Sequence, residues 1–513
     1  MFEHMFAEVA DEALVGVIEQ AARDEARAAA RRLAAIAELT HRKVDDEDER
    51  SWWSFDLWSA TAAAIGAALT IGQRRASAQM RIAMALRDRL PRVAALFCEG
   101  RINIRVISEL TWRTHLVDDD RVLAEIDAAL AEHAVSWGAL SEEKLTGAVN
   151  AVIERYDPDA VRRTKDAIGD RDFRIGARDD GAETTSAWGT LIAADGVAAE
   201  RRILAMINGV CANDPRSVGE RRSDAAGALL NGREHLRCRC GTPDCPKADV
   251  PAPASNVVVH VIADQAALDA ATKPATGVEA TAESDEPPPL KDTGVALLPG
   301  LKVMPTAALA EAIAAGAKVT PLWLPGHNPE PNYRPSARLA QFVRMRDMFC
   351  RFPGCDVPAD RCDVDHCVPW PDGPTHPSNL HCKCRAHHLM KTFCFGPDGW
   401  SEVQTADGAV TFTAPDGRVH TTNPGSALFF PQFPTATAEL PHLPFWRPPD
   451  PARAARMPSR RRLRSAEIAA RVKAERAQNR DVRAANLAAA RSARRHTGGR
   501  LRGRVATGDE PPF

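Results

Sequence analysis

The sequence predicts an α+β fold in which helix predominates. Three observations lead there. Ala- and Leu-bearing stretches repeat apolar residues at helical spacing up to about Lys165. Aromatic residues make up only 5% of the chain, which disfavours extended sheet. From Asp172 onward, short β-rich runs appear between Asp-Gly turns. At 513 residues, and about 150 per domain, two to four domains are expected.

The helical part reads element by element. "DEARAAARRLAAIAEL" from Asp24 carries a 3.6-residue apolar period. "RASAQMRIAMALRDRLPRVAALF" does the same, broken by Pro91. "DDDRVLAEIDAALAEH" opens on an acidic first turn, which complements the helix dipole. The period then changes. "DFRIGARDDGAETTSAWGTLIA" reads as a hairpin around Asp180-Gly181. "AAERRILAMINGV" and "RSDAAGALLNG" return to helix, and "NVVVHVIA" is a β-rich run. Residues 1–263 are therefore expected to form one helical domain with a small β element.

Residues 264–300, polar and Pro-rich, read as a flexible linker. Residues 301–425 hold a short helix from Thr306, a metal-rich stretch, and a β-meander punctuated by Asp407-Gly408 and Asp416-Gly417. Residues 426–513 are Pro-rich, then Arg-rich. The segment Ser465 to Arg495 is helix-prone but polar on nearly all sides, and is expected to stay disordered until it meets a partner.

The N-terminus "MFEHMFAEVADEAL" is acidic and lacks the basic start of a signal peptide. The most apolar stretch, Leu57 to Gly72, is too short for a good membrane span and reads as a buried helix. A cytoplasmic protein with no membrane partner is expected. Twelve cysteines in a reducing compartment then need a reason. Most fall in two clusters, Cys238 to Cys245 and Cys350 to Cys384, where neighbouring histidines point to metal rather than disulfides. No P-loop, nucleophile elbow or dinucleotide fingerprint is present.

The net charge of −2 conceals an asymmetry. From Pro451 to Arg504 the chain carries 17 Lys/Arg and 3 Asp/Glu, which leaves the rest near −16. A basic arm on an acidic body suits a polyanion, with DNA the expected partner and Arg460, Arg461, Arg462 and Arg464 the expected phosphate contacts. A solubilising arm is the alternative.

The metal-rich stretch carries the chemistry. "CRFPGC" places Cys350 and Cys355 on a knuckle turned by Pro353-Gly354, and "CRAH" places Cys384 and His387 on one helix face. Together they offer a closed Cys₃His zinc site. Cys362, Cys367, Cys382 and Cys394 compete for those places. His388 points about 100° away from His387, with Lys391 on its own face. "DVDH" reads as a strand, so Asp365 and His366 face opposite sides. An Asp oxygen and an imidazole can hold a divalent metal with open positions, and a neutral histidine nearby can take a proton from water. "HLRCRCGTPDCP" offers a second zinc loop through His235, Cys238, Cys240 and Cys245, against the reading of a surface loop with free thiols.

The pattern C-x4-C, DH, N, C-x2-H-H-x2-K resembles the HNH endonuclease motif over about 60 residues. That resemblance implies a C-terminal ββα-metal domain. Residue by residue, it implies His366 as general base, Asp365 and His388 as ligands of a catalytic Mg²⁺ or another divalent metal, and Asn379 as the residue that orients the base. It implies structural zinc on Cys350, Cys355, Cys384 and His387. Lys391 is placed where a cation could meet phosphate. The Gly-Gly common in the motif is Asp372-Gly373-Pro374 here, and the second zinc pair ends in His. The wider chain resembles actinobacterial repeat-family proteins that join a helical domain of unknown function (number 222) to an HNH domain. The expected activity is metal-dependent DNA hydrolysis. The alternative is a zinc-dependent nucleic-acid-binding protein of a mobile element that does not cleave.

Overall fold

The structure, a computed structural model, describes residues 4–162, 172–176, 184–191, 193–243, 245, 261–272, 294–298, 302–304, 306–314, 317–440 and 451–501. The chain divides into two compact units. The first comprises Met1–Arg163, Pro325–Pro424 and Pro434–Phe513; the second comprises Thr164–Leu324 and Gly425–Phe433. The division at Arg163 falls inside the stretch 1–263 that reads as one domain, close to where the apolar period changes. The class is α+β and predominantly helical, as the composition predicts.

The first unit begins with seven helices: α1 Asp11–Lys43, α2 Leu57–Leu69, α3 Gln73–Asp88, α4 Pro91–Cys98, α5 Ile104–Arg113, α6 Asp120–His133 and α7 Glu142–Tyr156. Their starts are chemically marked. The Asp56 side chain accepts from the Ser59 amide at the head of α2, Asn103 from Val106 at α5, and Asp119 from Arg121 and Val122 at α6. Pro91 opens α4 at its first turn, where its missing N–H costs nothing. Thirty buried apolar residues form one continuous core, from Ala26 and Leu33 through Leu110 and Ile126 to Ile153 and Val161. The apolar stretch at Leu57 is the buried helix α2. Among the described residues no helix is long and apolar enough to cross a membrane.

The second unit holds a hairpin of β1 Phe173–Ile175 and β2 Ala187–Gly189, in the expected place. Its Asp180-Gly181 turn lies outside the described residues. Helices α8 Ala193–Gly209 and α9 Val218–Leu230 follow, with a Ser217/Glu220 capping box opening α9. The span 264–300 is not wholly a linker. It contains α10 Gln265–Thr272 and β4 Ala296–Leu298, which pairs with β3 Ile262–Ala263 and β5 Lys302–Val303. α10 packs on α11 Thr306–Ala314 around Ala267, Ala296 and Leu309. The Ala- and Leu-bearing ends of this span bury themselves, while the Pro-rich middle that suggests a linker lies outside the described residues.

The chain then returns to the first unit. Helix α12 Ala337–Asp347 leads into a two-stranded antiparallel sheet, β6 Cys362–His366 and β7 Leu380–Cys384, and then α13 Arg385–Phe393. A meander of β8 Ser401–Gln404, β9 Val410–Thr413 and β10 Val419–Thr422 closes this region, turning at the two Asp-Gly pairs. The short α14 Ser426–Phe429 belongs to the second unit.

The basic tail departs from expectation. Residues Arg464–Leu501 form one helix, α15, and its start is tied to the bundle. Arg460 and Arg464 reach the buried Asp56 carboxylate at 2.7 and 2.8 Å. Arg476 meets Asp157 at 2.6 Å, and the Asn479 amide donates to the Asp159 and Val161 carbonyls. A buried acid lacking a local counter-charge costs several kcal/mol, so Asp56 recruits the arginines that the sequence reads as free for phosphate. Arg460 and Arg464 are thus bundle contacts, while Arg461 and Arg462 are exposed.

Candidate metal centres

The ββα region buries a network of charged and polar groups among its apolar ones. Asp347, at the end of α12, is fully buried between Arg346 and Arg351, themselves fully buried. Its second oxygen accepts from the Cys382 amide at 2.7 Å. Arg346 donates to the Pro377 and Leu380 carbonyls, and Arg351 to Gly408 O and Thr422. This network joins α12, the loop before β7, β7 itself and the meander. Low dielectric makes each of those charged hydrogen bonds strong and each missing one costly.

Four ligand atoms meet at the knuckle. Those of Cys350, Cys355, Cys384 and His387 all lie within 4.8 Å of one another. The Cys350 and Cys384 sulfurs stand 3.4 and 3.3 Å from His387 Nδ1, and Cys355 stands 4.0 Å from Cys384. A tetrahedron with Zn–S near 2.3 Å and Zn–N near 2.0 Å has edges of roughly 3.5–3.8 Å, so the set fits one zinc. Gly354 turns the knuckle with φ +73°, and a Cβ there would press within 2.7 Å of the Ile71 carbonyl. Phe352 stacks on the His387 ring at 4.0 Å and fixes its plane. Of the competing cysteines, Cys362 donates to the Val357 and Pro358 carbonyls and Cys382 to Val343 O, outside this quartet.

The residues expected to hold a second metal lie on β6 and α13. β6 carries Asp363 and Asp365 on one face, opposite Lys383 and His381 of β7. His388, on α13, lies 2.8 Å from Asp363 Oδ2 through Nδ1 and 3.5 Å from Asp365 Oδ1 through Nε2. Asp363 therefore holds one nitrogen and leaves the other facing Asp365.

His366 is 4% exposed. Its Nε2 lies 2.8 Å from Thr375 Oγ1, and that hydroxyl donates to the Asn332 carbonyl at 2.6 Å. The single Thr375 proton is thus committed, so His366 Nε2–H is the donor and Nδ1 carries the lone pair. Burial lowers the ring's pKa below the ordinary histidine value; Asp365 opposes that and Lys391 adds to it. The ring is neutral near pH 7. Tyr333 stacks on it at 5.4 Å, and Trp370 stands at 6.4 Å.

Asn379 holds the loop that carries these groups. Its Oδ1 accepts from the Val368 amide at 2.8 Å, and its Nδ2 donates to the Val368 and Pro374 carbonyls. Any Cβ at position 373 would overlap the Val368 carbonyl and press on Asn379 Nδ2 at 2.5 Å, so Gly373 is required there. Lys391 reaches the site but faces inward. It bridges Asp365 at 2.8 Å, Glu402 at 2.7 Å and the His366 carbonyl. Burial alone would lower its pKa, yet Glu402 and Asp365 hold it above the ordinary lysine value. It is a fixed counter-ion to the two acids rather than an open cation.

Sequence reasoning misses Thr375 and Glu402, whose roles arise from contacts across β8 and the loop before β7. Asp363 was findable, since strand alternation puts it on the face of Asp365. Cys367, His381 and Glu402 also cluster, where Lys383 and Lys391 already pair with the Glu402 carboxylate.

In the second unit the expected zinc loop differs by one ligand. The sulfurs of Cys238, Cys240 and Cys245 gather with Cys211, and His235 is not in the group. His235 is exposed, whereas Cys211 follows α8 directly beneath the loop. Sequence proximity suggested the histidine; the fold brings in the distant cysteine.

Relatives of this chain occur in Mycobacterium tuberculosis. It is 50% identical over 488 residues to "Uncharacterized protein Rv2100" of that organism, covering 91% of this chain and 88% of that one. It is 48% identical over 471 residues to "Uncharacterized protein Rv3776" of the same organism, covering 91% and 90%. No solved structure matches. Residues 20–347 match the family described as "Domain of unknown function (DUF222)", a match that ends with α12, before the ββα sheet. The chain belongs to the DUF222 family.

Proposed function

We propose that the ββα region is a metal-dependent endonuclease of the HNH type that hydrolyses DNA phosphodiesters. The observation that carries this is that one small ββα unit holds both a neutral His366 bonded to Thr375 and, next to it on β6, an Asp365 whose carboxylate faces His388 of α13. His366 Nδ1 takes a proton from water as the water oxygen bonds to phosphorus and the 3′ oxygen leaves. Thr375 and Asn332 hold the ring in that tautomer, and Asn379 holds the loop beneath it. Asp365 and His388 would hold the divalent cation, with Asp363 orienting His388. Such a cation supplies positive charge to the phosphate and the leaving oxygen. Lys391 keeps Asp365 ionised, below the ordinary carboxylate range.

Structural zinc on Cys350, Cys355, Cys384 and His387 holds the unit together. Two exposed rings, Tyr333 at 58% and Trp370 at 38%, flank His366 and offer stacking faces to a nucleobase or sugar. The test is supercoiled plasmid with the full chain and Mg²⁺ or Mn²⁺. His366→Ala is expected to lower cleavage about 10²- to 10⁴-fold with zinc content and melting temperature unchanged. Wild-type chain that leaves the plasmid intact with either metal, or a His366→Ala variant that cuts at the full rate, overturns the proposal.

A further inference from the structure

The α8–α9 region of the second unit contains a feature the nuclease reading does not use. We propose that Cys211, Cys238, Cys240 and Cys245 form a four-thiolate structural zinc site that clamps the segment after α9 onto the end of α8.

The geometry is compact. All four sulfurs lie within 4.8 Å of one another, and Cys211 Sγ stands 3.2 Å from Cys238 Sγ. Sulfurs around one zinc lie about 3.8 Å apart. A [2Fe–2S] or [4Fe–4S] cluster distributes its four cysteines over two or four irons and so spreads the set more widely. The spacing suits a single tetrahedral ion.

The scaffold sets the ligands before any metal arrives. Asp214, whose side chain is fully buried, accepts from Arg216 Nε and Nη2 at 3.0 and 2.8 Å and from the Arg239 amide at 2.9 Å. Arg216 also donates to the Arg237 carbonyl at 2.6 Å. Backbone groups on both sides of Cys238 are therefore fixed to the α8–α9 loop. Gly241, at φ +66°, turns the chain between Cys240 and Cys245.

Charge and core size agree. Zinc with four thiolates carries −2. Arg216, Arg221, Arg237 and Arg239 lie on the segments that carry the cysteines, with Asp214 and Asp224 opposing them. Among the described residues, the apolar core here has seven buried residues, including Cys238, against thirty in the bundle. So small a core gains little from burial alone, and a metal cross-link supplies what it lacks.

The test uses the full chain, purified reduced and zinc-loaded, treated with N-ethylmaleimide before and after chelation, with each cysteine mapped by mass spectrometry. Cys98, which is exposed, should react in both states. Cys211, Cys238, Cys240 and Cys245 should be protected together and released together by chelator. His235→Ala should keep the full zinc content, and Cys211→Ser should lose one equivalent. If Cys211→Ser fails to fold, the wild-type map and His235→Ala still decide. Reaction of the four as fast as Cys98 in zinc-loaded protein, a Cys211–Cys238 disulfide in the reduced preparation, or loss of a zinc equivalent in His235→Ala overturns the proposal. Each cysteine is read separately, so the outcome is independent of the Cys350 quartet.

Discussion

The seven-helix bundle and the ββα region solve the same problem with different chemistry. The bundle buries Ala, Leu, Ile and Val on one continuous core, with few buried charges, such as Asp127. The ββα region buries Asp347, Arg346, Arg351, Lys383, His381 and Asn379. An apolar core tolerates exchange of one hydrophobe for another at modest cost. A buried polar network does not, because one missing partner strands the others. Each region is therefore fragile in its own way. The residues of the proposed site sit in the second, where preorganised polar atoms, though costly to build, would not move as charge develops.

The largest expected effect comes from breaking the knuckle. Cys350→Ser should remove one zinc equivalent and abolish the cooperative melting of the ββα region, since metal binding in small units contributes on the order of 10 kcal/mol to folding. Zinc analysis with a thermal melt checks this; unchanged zinc content would show the quartet is not a ligand set.

Next, Asp347→Ala and Leu110→Ala set the two cores side by side at similar burial. Removing Asp347 strands two buried guanidinium groups and a Cys382 amide, at about 3–5 kcal/mol. Truncating Leu110 leaves a cavity in the bundle, at about 2–5 kcal/mol. Only the first should also cost zinc and the proposed nuclease activity. Equal loss of zinc in both would mean that the two regions do not differ as argued.

The tail offers a smaller effect. Arg464→Ala takes a charged partner from buried Asp56 and should cost about 1–3 kcal/mol, while exposed Arg461→Ala should change stability by less than about 0.5 kcal/mol. DNA binding should show the reverse. Replacing Arg461 and Arg462 should reduce the slope of log K against log salt by about 0.9 for each phosphate no longer neutralised. Equal stability and equal salt slopes would remove the distinction between docked and free arginines.

A pH dependence within the bundle is a separate effect. Burial, with Arg162, Arg89 and Arg81 nearby, lowers His115 to about 4. Unfolded His115 titrates near 6.5, so between those values the unfolded chain binds the extra proton. Its contribution is fully present above about 6.5 and is lost as pH falls toward 4. His115→Gln should show a flatter melting temperature across that interval; an identical slope would rule His115 out as the titrating group.

Much of this molecule is written locally. Helix periods, Asp and Asn caps, the break at Pro91 and the two Asp-Gly turns all act over a few residues, and the strand, knuckle and helix carrying His366, Cys350 and His388 follow the same logic. Other features depend on residues far apart in the chain. Cys211 replaces His235 because helix packing, not sequence distance, sets which ligand reaches the loop. Arg464 finds Asp56 because burial made that acid costly alone. Lys391 turns inward because Asp365 and Glu402 meet only once β8 docks. Short-range sterics and hydrogen bonding can be read from neighbours in sequence. Desolvation of a charge depends on everything packed around it, and only the tertiary structure decides that.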